Sequence, residues 1–279
     1  MNAHNLVAAV TLGDAYLRKG DWLHSRDVFE ALRAKHPKEP QPHIRLGMIA
    51  RGEKRDAEAV SHFEEALQLD PKNIEPLAQL TTVKVAQGKA QEARDRVARY
   101  LTSYPDSALG FALIAVAHFN GSLAKNPKYV PAHMMLGVLY ETKNEIEKAQ
   151  RSYETVLRLS PKFSPAANNL AWLLIEHNGN SDLALSYAQT AREQQPSDPH
   201  VADTLGWIFY KKGIYLKAGS LLKEAAEKLP DNPSVLFHYG MTQYKQGDKA
   251  GAKGSLQAAI KLSQTFSGFQ EAQATLRSL

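Results

Sequence analysis

Residues 5–37, NLVAAVTLGDAYLRKGDWLHSRDVFEALRAKHP, hold two apolar periodicities with a break between them. Val7, Val10, Leu12, Tyr16 and Leu17 fall broadly at helical spacing, Lys19-Gly20-Asp21 interrupts them, and Val28, Phe29 and Leu32 resume the pattern. The reading is a helix, a tight turn and a second helix. Gly20 supplies the permissive backbone at the end of the first helix, and Pro37 stops the second or opens the next.

The same phrase recurs along the chain. Pro37, Pro71 and Pro105 are 34 residues apart, and Pro127, Pro161, Pro196 and Pro230 succeed one another at intervals of 34, 35 and 34. Ten residues after each proline stands a small residue: Gly47, Thr81, Ala115, Gly137, Ala171, Gly206 and Gly240, with Gly13 starting the series. A fixed period of this length is the mark of a repeat array, which grows in one dimension and escapes the domain count that 279 residues would otherwise suggest. Small residues at these places let paired helices approach closely, with aromatic and alanine positions filling the remaining volume.

The pattern resembles the tetratricopeptide repeat. The residues that carry the likeness are Leu12-Gly13-x2-Tyr16 with Phe29 and Pro37, and Leu46-Gly47 with Ala59, Phe63, Ala66 and Pro71. They continue as Leu136-Gly137-x2-Tyr140 with Ala149, Tyr153 and Pro161, and Leu205-Gly206 with Ala218, Ala225 and Pro230. Repeat three departs at Thr81 and Lys84, and repeat six at Ala171 and one extra residue in EHNGNSDLA. The resemblance implies an all-α, right-handed superhelical solenoid of helix-turn-helix repeats with a concave groove. The expected organisation is repeats one to four over 1–126, repeats five to eight over 127–263, and a closing helix in 264–279. The C-terminal repeats are also similar to those of bacterial envelope lipoproteins of exopolysaccharide and exosortase (PEP-CTERM) systems.

Repeat four breaks the rhythm. From Pro105 to Pro127 is 22 residues, 12 short of a full period. Counted forward, Ala115 is the small residue of a first helix; counted back, with Phe119 as the aromatic position, it is the alanine of a second. Two arrangements satisfy both counts. Residues 107–125 form one merged helix, which reverses the up-down order of the later helices, or a turn of 12 residues is missing. The intact registers on both sides favour the missing turn.

Composition excludes several classes of function. The chain has no cysteine, hence no disulfide, thiolate metal site or cysteine nucleophile. Its 34 basic and 29 acidic residues leave a thin surplus, mostly after residue 200, without the dense basic stripe of a nucleic-acid binder. There is no membrane-spanning apolar run, and Met1-Asn-Ala-His has neither the basic stretch nor the apolar core of a secretion signal. The expected location is cytoplasmic, or the bacterial periplasm or envelope if the chain is trimmed from a lipoprotein. The ten histidines show no helical metal spacing; His24, His62, His118 and His238 read as isolated surface or partly packed residues. Gly52, Gly88 and Gly213 read as stop signals after first helices, not as phosphate loops. No nucleophile elbow occurs, so no catalytic residue, cofactor or metal is expected.

The resemblance places the lining of the groove on the first helix of each pair. Carried over residue by residue, it comprises Asn168, Trp172, Ile175 and Glu176 in repeat six, and His200, Asp203, Trp207, Tyr210 and Lys211 in repeat seven. Repeat eight adds Phe237, Met241, Tyr244 and Lys245. Trp172 and Trp207 are two of three tryptophans and share a repeat position, as peptide anchors or as packing between adjacent helices. Asn168 and Asp203, also one repeat apart, suit hydrogen bonds to an extended peptide backbone. The chain lacks the set of basic groove residues with which chaperone-binding members clamp a carboxylate. The function expected is a noncatalytic scaffold for a protein or peptide partner. Self-association and service as the regulatory repeats of a larger enzyme, such as a glycosyltransferase, are the alternatives.

Overall fold

The computed structural model describes residues 3–177 and 179–279. Met1, Asn2 and Asn178, the last in the stretch that carries the extra residue of repeat six, lie outside them. Among the described residues there are sixteen helices and no strand. Those of the first four repeats are α1 (Ala3–Lys19), α2 (Trp22–Lys35), α3 (Pro40–Gly52), α4 (Asp56–Leu69), α5 (Ile74–Ala86), α6 (Ala90–Ser103) and α7 (Ala108–Lys125). They continue as α8 (Val130–Thr142), α9 (Ile146–Leu159), α10 (Ser164–Glu176), α11 (Ser181–Gln194) and α12 (Pro199–Lys211). The last are α13 (Tyr215–Lys228), α14 (Pro233–Lys245), α15 (Lys249–Leu262) and α16 (Phe269–Ser278). The chain divides into two compact units, 1–132 and 133–279.

The glycine-bearing repeats are closed by that glycine of the first helix set against a large side chain of the second. A methyl group added at Gly47 would stand 2.5 Å from the Phe63 ring, and one at Gly13 2.7 Å from Phe29. Leu222 and Leu256 fill the same role against Gly206 and Gly240. In the first unit this packing joins Phe29, Leu32, Leu46 and Ile49 in one buried cluster, and Phe63, Leu77, Leu80, Val83, Val97 and Leu113 in the next.

The turns inside repeats one, two, three, five, seven and eight impose a second constraint. Seven residues after the small position the backbone is left-handed, at Gly20, Gly88, Gly213 and Gly247, and also at Lys54 (φ 61°) and Asn144 (φ 56°). Gly52 is therefore not the stop signal of its repeat. It ends α3 against the ring of Trp22, which a side chain there would strike, while Lys54 makes the turn. Between repeats, short side chains cap the first helices: Asn73 accepts from the Glu75 amide at 3.0 Å, and Asp198 from His200 at 2.8 Å.

Successive second helices are linked across their outer face by ion pairs 32 residues apart. Arg26 meets Glu58 at 3.0 Å, Arg96 meets Glu64 at 2.8 Å, and Arg192 meets Glu224 at 2.6 Å. At such exposure each contributes little to stability, but each is satisfied only in the native stacking register.

The missing turn expected in repeat four is not found. Residues 108–125 run as one helix of 18 residues, about 27 Å long at 1.5 Å per residue. Side-chain bonds to the preceding turn, Asn120 to the Val116 carbonyl at 2.8 Å and Ser122 to His118 at 3.1 Å, run through its second half. It starts as first helices do, with Ser107 accepting from the Gly110 amide. It ends as second helices do, with the Asn126 amide on the Ser122 carbonyl, as Asp70 ends α4 on Ala66. The shared register at Ala115 is thus the signature of fused helices. Leu113 and Ala117 carry the burial, and Ala115 itself is half-buried.

Two substitutions test these constraints with opposite signs. Gly47→Ala forces the Phe63 ring aside and is expected to destabilise the chain by about 1–3 kcal/mol. Lys54→Gly relieves a left-handed lysine and is expected to stabilise it by about 0.5–1 kcal/mol. Urea denaturation followed by circular dichroism measures both.

Candidate peptide-binding face

Within the second unit α10, α12 and α14 present the residues expected to line the groove. At its centre is Trp207, only 3% exposed. Its indole N–H donates to Glu176 Oε1 at 2.8 Å. The ring is stacked on Tyr210 with centroids 4.6 Å apart and on His238 at 4.1 Å, and Lys211 Nζ lies 4.9 Å from its centroid. Trp207 is thus held in place on every side, as a packed element of the scaffold.

His238, expected from the sequence to be an isolated surface or partly packed residue, is instead buried and paired. It is 3% exposed and its Nδ1 bonds Asp203 Oδ1 at 2.9 Å, so the carboxylate accepts from the ring. Trp172 lies on its other side, with centroids 5.7 Å apart. Asp203 is therefore buried and engaged inside the protein, which corrects its expected part as a free acceptor for a peptide backbone. The signal was available only as a pairing: an acid and an imidazole 35 residues apart, on the facing sides of consecutive first helices.

Phe237 and Met241 also lie beneath the surface, because the C-terminal segment covers them. Phe266 packs on Phe237 with centroids 5.8 Å apart, and the Thr275 hydroxyl of α16 donates to Met241 Sδ at 3.5 Å. Gly268, at φ 95°, makes this closure fit: its backbone is left-handed, and a side chain there would enter the Phe237 ring. Tyr210 stands at the margin of this cover. Burial above all, then the Glu271 carboxylate and Tyr215, pushes its phenol up to about 12 from 10.

The expected residues that stay accessible form a different set. Trp172, Tyr210 and Tyr244 are half-buried, and His200, Lys211 and Lys245 are exposed. Asn168, one helical turn before Trp172 and so on the same side of α10, is not in that set: its side-chain oxygen is buried, without a hydrogen-bond partner. Among the described residues no helix is long and apolar enough to cross a membrane.

Family models described as the tetratricopeptide repeat match residues 10–74, 50–116, 134–199 and 234–263. The chain belongs to the tetratricopeptide repeat family. A tetratricopeptide repeat-containing protein of Pseudomonas aeruginosa is 26% identical over 200 residues, 66% of this chain and 33% of its own length. The peroxisomal targeting signal receptor of Saccharomyces cerevisiae is 26% identical over 190 residues, 61% of this chain and 31% of its own. The chain thus spans about a third of the curated relatives it matches. Among solved structures, that of Pseudomonas aeruginosa pilF is similar at 17% identity and a TM-score of 0.49, covering 85% of this chain and 97% of that one. A tetratricopeptide repeat protein from Parabacteroides merdae is 18% identical with a TM-score of 0.43, covering 97% and 96%.

In this tetratricopeptide unit the two tryptophans are expected to separate. Trp207→Ala leaves a cavity and an unpaired Glu176 and should cost about 3–5 kcal/mol, against no more than about 2 kcal/mol for Trp172→Ala, in urea denaturation. Alkali gives an independent check on Tyr210. Its raised pKa means that its contribution to stability is complete below about 10 and is lost as pH rises through about 12. Tyr210→Phe should flatten that part of the stability curve.

Proposed function

We propose that this tetratricopeptide chain is a noncatalytic scaffold and that its second unit takes an extended segment of another protein along α10, α12 and α14. The observation that carries the reading is the series of half-buried aromatic rings, Trp172, Tyr210 and Tyr244, on three first helices in succession. An apolar side chain of a bound segment would cover Trp172. Tyr210 and Tyr244 continue the aromatic surface on the next two first helices. Lys211 and Lys245, each following its tyrosine, favour a segment that carries acidic residues. Trp207, Asp203, Phe237 and Met241 hold the face rigid, so its shape is set before the partner arrives.

As the setting we propose an envelope or exopolysaccharide-secretion assembly, on the sequence pattern of repeats six to eight alone. Self-association is a second reading, favoured by the exposed Val7 and Leu12 on α1. Multi-angle light scattering across concentration separates it from a monomeric scaffold.

Selection from a displayed peptide library, followed by calorimetry on the selected peptides, tests the binding face. Selected peptides are expected to be acidic and to lose at least tenfold in affinity on Trp172→Ala with Tyr244→Ala, while the circular dichroism of the double variant stays that of the parent. Equal affinity for the double variant removes the face from consideration.

A further inference from the structure

We propose that His43, His62 and Glu65 form a binding site for a divalent transition-metal ion of the Zn2+ type in the contact between α3 and α4. His43 comes from α3, and His62 and Glu65, three residues apart on one side of a helix, come from α4. One ligand atom from each of the three lies within 4.8 Å of the other two. Glu65 Oε2 is 2.8 Å from His43 Nδ1 and 3.9 Å from His62 Nδ1. Two ligand atoms on one tetrahedral zinc ion are about 3.3 Å apart, a value these distances bracket.

The state of the two rings points to a missing partner. His43 is 8% exposed and His62 7%, and in both the buried Nδ1 has no hydrogen-bond partner. The approach of His43 to Glu65 is close, but its direction does not make a hydrogen bond. Buried ring nitrogens are ordinarily satisfied, and a pair of them converging on one carboxylate oxygen is the arrangement that a cation completes.

The surroundings orient the ligands. Ser61 bonds the other carboxylate oxygen of Glu65 at 3.2 Å, which leaves Oε2 for the histidines. Glu58 Oε1 lies 3.8 Å from His62 Nε2, on the far side of that ring, where it favours a cation-bound imidazole. Two imidazoles and one carboxylate suit Zn2+, Co2+ or Ni2+; Mg2+ and Ca2+ prefer all-oxygen sites. Three protein ligands leave a fourth position for water, and half-exposed Glu65 gives the ion a way in. His43 also stands where the repeat pattern W-x2-L-G has its tryptophan, three residues before Leu46.

The test uses the full chain after dialysis against a chelator. Co2+ is titrated with detection of its visible d–d absorption, Zn2+ is titrated by calorimetry, and melting is followed with and without Zn2+. The expected result is one ion per chain, displacement of Co2+ by Zn2+, and a melting temperature raised by several degrees with Zn2+. His62→Gln and Glu65→Ala should each weaken binding at least tenfold and abolish the rise. Glu65→Ala alters a half-exposed residue, so it remains decisive even if the buried His62 variant does not fold. Absence of saturable binding to the parent chain, or a loss of less than tenfold in folded Glu65→Ala, overturns the site.

Discussion

The close approach of a glycine on one helix to a ring or leucine on the next is the constraint on which the rest of the structure depends. It fixes the distance between the helices of a pair, and so how much apolar side is left for the neighbouring pair to cover. Where the small residue is strictly glycine the contact is made with a large partner: Phe29, Phe63, Leu222, Leu256 and, against Gly137, Tyr153. Tyr153 adds a polar contribution, because its hydroxyl donates to Glu141 at 2.7 Å and accepts from Asn169 at 3.3 Å. Helix contact, side-chain network and repeat stacking meet there in one residue.

Much of the fold was legible because the signals are local and repeated. Helix pairs, turns and the prolines between repeats all arise from short-range backbone preferences sampled many times. Gly52 misled because glycine serves two purposes, turning the chain and admitting a neighbour, and sequence alone does not separate them. At repeat four the periodicity supports two readings. The balance fell on the wrong join, because an α-helix can carry two registers at once if the turn between them is deleted, and α7 has a proper cap at either end.

The candidate face was less legible, for a physical reason. Position in the repeat tells which side of a helix a residue takes, but not whether another part of the chain already lies against it. Phe237 and Met241 take the expected side and are sealed by Phe266 and Thr275 from beyond the last repeat. His238 and Asp203 are paired across consecutive repeats, and His43 faces His62, 19 positions later, across a helix pair. Such groups look isolated in sequence because their meeting is a property of packing, not of spacing along one helix.

The charge pairs along the outer face bear on how an array of this kind tolerates insertion. Because each pair spans 32 residues between consecutive second helices, an insertion within those helices that rotates their faces parts an arginine from its glutamate. Each such pair thus works as a check on how one repeat is seated against the next.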